Sequence, residues 1–132
     1  WRESDVLIYP ILFLYRHALE LKLKYFINLY GPELGFEPVW NSHKFTDLWP
    51  CFLEILDHVG SDDPDSADQH VGAVIAQFGN IDPGSFSLRY PCDNKGAPIP
   101  LVRDQLHLKT LKDVMDGVFG YFAGTDVFLN KV

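Results

Sequence analysis

The feature that most constrains this sequence is a long helical repeat of apolar residues between Asp5 and Tyr30. At about 100° per residue, one set of apolar side chains falls within about 40° of a single line, and a second set lies about 140° away. A helix with two apolar lines would expose apolar side chains to water if only one side were covered. We therefore predict that it lies at the centre of a bundle or in a dimer. The first line comprises Ile8, Leu12, Tyr15, Leu19, Leu23, Phe26 and Tyr30, and the second comprises Leu7, Leu14, Leu21 and Tyr25.

Three later segments also have helical periodicity. A second helix is predicted over residues 42–58 or 46–58, a third over 64–79, and the last over about 103–122 and beyond. Between the last two, alternating apolar residues and a polar turn favour a short irregular or β-hairpin insertion near residues 85–101. We therefore predict an all-α fold in which residues 1–132 form a single domain, a bundle of about four helices with that insertion. Pro10 is expected near the first turn of the first helix.

The composition supports a single globular domain with an acidic surface. The chain has 132 residues, 47% of them hydrophobic, and eighteen acidic against eleven basic side chains give a net charge of −7. This balance opposes loose electrostatic binding to nucleic acid, but it is compatible with a local cationic pocket.

The sequence gives no sign of a membrane span or a signal peptide. The charge-free stretch from Val6 to Tyr15 is about half of the roughly 20 residues that a spanning helix needs. We therefore expect a soluble, cytoplasmic protein in which Cys51 and Cys92 are free thiols. Because Met115 is the only methionine, Trp1 is not a natural initiator, and we expect the chain to be a trimmed or processed piece.

The first candidate site lies on the first helix. Arg16, Glu20 and Lys24 follow one another at i,i+4 spacing, so two cations can flank Glu20. Arg16 could then bind phosphate while Glu20 holds it in place, or the three residues could form a purely structural ion-pair ladder. His17, on another side, is expected to face solvent or a partner.

A second candidate pair lies at the start of the last helix. Arg103 and His107 are one turn apart, and His107 is near the apolar face. Such a pair could supply a base and a cation for metal-independent cleavage of RNA. His107 could equally be a hydrogen-bonded core residue.

The third candidate is Arg89, in the insertion. It could bind a phosphate, or it could form a structural lock with Glu20 if this segment returns to the first helix. Other chemistries lack their motifs: no phosphate-binding glycine loop, HExxH or CxxC occurs, and the histidines have no metal-ligand spacing. We therefore expect neither a metal nor a cofactor.

Three segments resemble a group of prokaryotic HEPN-like proteins: YRHALELKLK at 15–24, SHKFTDLW at 42–49 and LRYPCD at 88–93. The resemblance implies a helical bundle, frequent dimerisation, and association with toxin–antitoxin, antiviral defence or RNA-processing systems. Active members are metal-independent endoribonucleases. Their catalytic Arg and His are further apart than Arg103 and His107, which have three residues between them.

We therefore expect a HEPN-like domain that binds RNA or nucleotide phosphate through Arg16, Glu20, Arg89, Arg103 and His107. As an enzyme it would be a metal-independent endoribonuclease of a toxin or defence system, with His107 as the base and Arg103 or Arg16 stabilising the phosphate. A homodimer through the first helix and an antitoxin or regulatory protein are the expected partners. The alternative is a non-catalytic interaction or regulatory module in which these residues only fasten the bundle.

Overall fold

The computed structural model describes residues 3–60, 67–81 and 108–131. This part of the chain contains four α-helices and no strand, which confirms the predicted all-α bundle. The predicted insertion at 85–101 lies outside the described residues. The helices are α1 (Glu3–Tyr30), α2 (Phe45–His58), α3 (Ala67–Ile81) and α4 (Leu108–Asn130), with a short 3-10 turn at Pro32–Leu34.

The helices pack in the order of the chain, α1 against α2, α2 against α3, α3 against α4, and α4 back against α1. Phe26 of α1 lies at the centre of the core, where its ring centre is 5.4 Å from that of Phe52 and 5.8 Å from that of Phe122. All three side chains are fully buried. The predicted inner face of α1 is confirmed, since Leu12, Leu19, Leu23 and Phe26 are all buried.

The leucines of the second apolar line of α1 face outward from the described helices, and the Tyr25 hydroxyl of that line donates to Asp126 of α4. Leu14 is 63% exposed, Leu21 52% and Tyr25 41%. Helices α2, α3 and α4 therefore do not enclose α1 on all sides over the described residues.

The start of α1 differs from the expectation for Pro10. The helix begins at Glu3, so Pro10 lies inside it and not in its first turn. A proline inside a helix removes one backbone hydrogen bond, but the remaining turns of so long a helix keep theirs, and the helix continues through it. The helix ends at Tyr30, directly before Gly31 and Pro32, as predicted. A Cβ at Gly31 would collide with the carbonyl oxygen of Ile27, so only glycine fits this position.

No helix within the described ranges is long and apolar enough to cross a membrane. Cys51 is a free, half-buried thiol, as predicted, and burial raises its pKa. Cys92 lies outside the described residues.

The contact between α2 and α3 depends on a close approach at Gly72. A Cβ at this position would lie 2.9 Å from the indole nitrogen of Trp49, whose ring is stacked on Phe52. At Gly79 of the same helix, a Cβ would meet nothing within 4 Å.

We predict that Gly72→Ala and Gly79→Ala change stability in opposite directions. Gly72→Ala should destabilise the fold by about 1–3 kcal/mol because it overpacks the Trp49 ring. Gly79→Ala should stabilise it by about 0.5–1 kcal/mol through the higher helix propensity of alanine. Urea denaturation of both variants measures the effect, and equal changes would show that α3 does not pack on Trp49 as described.

Candidate functional site

Four polar side chains follow one another at i,i+4 spacing along one flank of α1: Arg16, Glu20, Lys24 and Asn28. We call them the polar ladder. The first three are buried, with Arg16 0%, Glu20 3% and Lys24 7% exposed. Ionised side chains are rarely buried so completely unless they are paired, because burial removes their hydration.

Glu20 is the centre of this cluster. Its Oε1 accepts a hydrogen bond from Arg16 Nη1 at 2.9 Å, and its Oε2 accepts one from Lys24 Nζ at 3.1 Å. The flanking of Glu20 by two cations, predicted from the spacing, is therefore confirmed. Burial raises the pKa of Glu20, but the hydrogen bonds from its three neighbours outweigh this effect and hold the pKa below its ordinary value of 4.5.

The third neighbour of Glu20 is His43, which comes from the segment between α1 and α2. Its Nδ1 lies 3.0 Å from Glu20 Oε2. An ionised carboxylate can only accept hydrogen bonds, so Nδ1 carries the proton and donates it. The side chain of His43 is nevertheless 60% exposed. One edge of the imidazole is thus fixed to a buried anion, and the rest of the ring is largely open to solvent.

The polar ladder also holds the main chain that carries His43. Arg16 Nη2 donates to the carbonyl of His43 at 2.7 Å, and Lys24 Nζ donates to that of Trp40 at 3.2 Å. Below them, the Asn28 amide donates to the carbonyl of Val39, and the Val39 N–H donates to Asn28 Oδ1 at 2.6 Å. The main chain of the segment 39–43 is therefore bound along α1 by Arg16, Lys24 and Asn28.

The buried guanidinium has an aromatic contact as well. Arg16 Cζ lies 4.6 Å from the centre of the Phe45 ring, at the first residue of α2. Cation–π contacts of this kind stabilise a desolvated cation by about 2 kcal/mol. Every buried side-chain nitrogen and oxygen in the described part of the chain has a hydrogen-bond partner. Arg16 thus connects α1, the segment 39–43 and α2.

The surface around His43 carries two further exposed side chains. Trp40 is 69% exposed although its carbonyl is held by Lys24. Lys44 is exposed and is the N-cap residue of α2, whose first turn carries the positive end of the helix dipole. A fixed imidazole, an ammonium and an open indole therefore lie within five residues of one another.

Of the five predicted site residues, Arg16 and Glu20 lie within the described ranges. Arg16 and Glu20 meet, and both are buried beneath His43. Arg89, Arg103 and His107 lie outside the described residues, so their convergence on Glu20 stays a prediction. His17, half-buried, stacks on Phe13 at 5.8 Å between ring centres.

Two residues of the site were not predicted as such, His43 and Asn28. Asn28 continues the i,i+4 series by one step, so the spacing could have found it. His43 is far from Glu20 in sequence and is brought there only by the return of the segment 39–43. Its signal was the SHKFTDLW segment of the HEPN-like resemblance.

The described residues contain no group of three or more His, Cys, Asp or Glu side chains placed to hold a metal ion. No protein-family model, curated protein or solved structure matches the chain. A function therefore has to be inferred from the chemistry of the side chains around Glu20.

We predict that Glu20→Gln is strongly destabilising and that its effect depends on pH. At neutral pH it should cost about 3–5 kcal/mol, because two buried cations lose their anion. The folded-state pKa of Glu20 is lowered, so the stability that its charge contributes is complete above pH 4.5 and is lost as the pH falls through the folded pKa. The difference between wild type and variant should therefore shrink below pH 4.5 in denaturation measurements.

Asp116→Asn is the matched control. Asp116 also pairs with a lysine at i−4, Lys112, but both side chains are more than 60% exposed. The control should lose at most about 1 kcal/mol. A Glu20→Gln variant that loses no more than this control would contradict the role of Glu20 as a buried anchor.

Proposed function

We propose that this protein binds the phosphate of RNA or of a nucleotide at the surface formed by His43 and Lys44, above the polar ladder. The observation that carries the proposal is the imidazole of His43, held by Glu20 Oε2 at 3.0 Å and still 60% exposed. When protonated, this ring can donate from Nε2 to a phosphate oxygen while Nδ1 stays on Glu20.

The net charge of the buried side chains favours the binding of an anion at His43. Arg16, Glu20 and Lys24 together carry one net positive charge directly beneath His43. Charges act over longer distances in a poorly solvated site than in water. Lys44, at the N-terminus of α2, adds positive potential on the outside, which the carboxylate of Asp47 in the same turn partly offsets. A local cationic surface of this kind can bind an anion even though the whole chain is acidic.

Arg16 acts in this proposal as an organising residue. Its guanidinium is completely buried, and its two terminal nitrogens donate to Glu20 and to the carbonyl of His43. It therefore positions His43 and leaves direct contact with the phosphate to the exposed side chains. Glu20 has the same organising role, as the sequence suggested.

RNA is the proposed source of the phosphate because of the HEPN-like resemblance. Two of the three segments that carry it, 15–24 and 42–49, are the segments that meet at Glu20. We propose that Arg89, Arg103 and His107 complete the site. The toxin or defence role, with an antitoxin or regulatory partner, is a proposal from the resemblance alone.

Metal-independent cleavage of RNA is a second candidate function, favoured by the tautomer of His43. In the neutral ring, the hydrogen bond to Glu20 keeps the proton on Nδ1, so Nε2 has a free lone pair and can act as a base. A base fixed in this way can take a proton from a 2′-hydroxyl group, whose oxygen then attacks the adjacent phosphorus. The bond from phosphorus to the 5′-oxygen of the next nucleotide breaks, and that oxygen takes a proton from water. His107, with Arg103 stabilising the phosphate, is the proposed alternative base.

We also propose that a second copy of the chain covers the outward face of α1. Apolar residues alternate there at spacings of three and four, which is the pattern of a coiled-coil seam. Helices α2, α3 and α4 leave Leu14 and Leu21 more than half exposed. The stripe consists of Ile11, Leu14, Ala18, Leu21 and Tyr25.

We predict that the double variant His43→Ala/Lys44→Ala binds RNA at least about tenfold more weakly than wild type. Each charge-assisted hydrogen bond that is lost contributes about 1.5–3 kcal/mol. Fluorescence anisotropy with a labelled 2′-O-methyl RNA, which cannot be cleaved through its 2′ position, measures the affinity in the presence of chelator. His70→Ala, an exposed histidine on α3, is the control and should bind like wild type.

Wild type, His70→Ala and the single variants His43→Ala, Arg103→Ala and His107→Ala are then incubated with unmodified RNA in chelator. Cleavage that falls about 100-fold or more in His43→Ala supports His43 as the base. Cleavage lost only in the Arg103 and His107 variants assigns catalysis to that pair. Absence of both binding and cleavage in the wild type at high protein concentration would overturn the proposed function. The alternative, a non-catalytic interaction or regulatory module, would then remain.

For the dimer, we predict that Leu14→Glu/Leu21→Glu is a folded monomer. Both side chains are exposed in the single chain, so charges there should disrupt only the contact between two copies. Sedimentation velocity at micromolar concentration should show a dimer for wild type and a monomer for the variant, with equal helical circular dichroism. Val127→Glu, at a similarly exposed site on α4, should stay dimeric. A monomeric wild type would contradict the dimer.

A further inference from the structure

Trp40 is the most exposed of the large apolar side chains in the described part of the chain, at 69%. An indole gains free energy when a flat ligand covers it, so this exposed ring is available for stacking. Its main chain is fixed on both sides, by Lys24 at the Trp40 carbonyl and by Asn28 at Val39. The ring is therefore presented on an anchored segment and not on a loose loop.

Trp40 and His43 belong to the same anchored segment, three residues apart. The carbonyls of both residues accept hydrogen bonds from cations that share the carboxylate of Glu20. Three residues of extended chain span at most about 11 Å, so the two side chains begin within that distance. One or two nucleotides of a strand can bridge such a separation.

On the basis of the proposed phosphate site, we infer that its ligand is an unpaired nucleotide of a single-stranded RNA, with the base stacked on Trp40 and the phosphate at His43 and Lys44. Aromatic side chains beside cations are the means by which proteins bind single strands. In a duplex the bases are stacked on each other and present no free face to the indole.

The charge of the chain favours the same ligand. With a net charge of −7, the body of the protein repels a long duplex that lies across its surface. A single unpaired nucleotide needs contact only with the local cationic surface. An acidic peptide could satisfy His43 and Lys44, but it would leave the face of Trp40 without a flat partner.

The test compares three 2′-O-methyl RNA probes by fluorescence anisotropy: a single-stranded hexamer, an abasic hexamer with the same number of phosphates, and a duplex of the same strand. Wild type should bind the single strand at least about tenfold more tightly than the abasic probe, because the abasic strand has no base that can stack on the indole. Trp40→Ala should reduce the affinity for the single strand to that for the abasic probe and leave the abasic affinity unchanged. Trp40→Phe should retain most of the binding.

Phe128→Ala removes an exposed aromatic ring from α4 and is the control, which should bind all three probes like wild type. Equal binding of the normal and abasic strands would overturn the stacking inference and leave the phosphate site intact. Failure to bind any probe would overturn the phosphate site itself. Tighter binding of the duplex would overturn the single-strand assignment. A Trp40→Ala variant that dissociates a dimer without changing RNA affinity would assign Trp40 to a protein contact and overturn the inference.

Discussion

The site depends on one buried carboxylate. Glu20 can be ionised in the interior only because Arg16, Lys24 and His43 donate to it, and the two cations can be buried only because Glu20 neutralises part of their charge. Each cation also donates a hydrogen bond to a carbonyl of the segment 39–43. If Glu20 lost its charge, the helix flank and the segment bound to it would lose their common partner.

Such a cluster is a poor way to gain stability alone, because apolar side chains of similar volume often stabilise a core as well or better. What apolar side chains could not do is fix the orientation of an imidazole. In this fold the ring of His43 is held by Glu20 and its carbonyl by Arg16, although the side chain remains largely exposed. The geometry thus explains the buried charges as supports for one exposed group.

Local patterns in the sequence predict much of this architecture. The inner face of α1 and the flanking of Glu20 follow from helical periodicity, because residues four apart are neighbours on any helix. The position of His43 does not follow from local spacing, since it requires the chain after Gly31 to fold back along α1. Periodicity also could not decide what covers Leu14 and Leu21. A helix needs the same apolar face in its sequence whether it packs on a second chain or on another layer of its own chain. The convergence of Arg89, Arg103 and His107 stays a prediction from the sequence.

The two outward features of α1 are compatible with each other. At about 100° per residue, Arg16 projects about 160° away from Leu14, and Glu20 about 100° away from Leu21. Each step of four residues turns the polar ladder by about 40°, so it approaches the apolar stripe only near Asn28. A second copy packed on Leu14 and Leu21 would therefore leave the surface over Arg16 and Glu20 open, which is where His43 lies. A dimer formed in this way would present both copies of the proposed phosphate site on its outside, one from each chain.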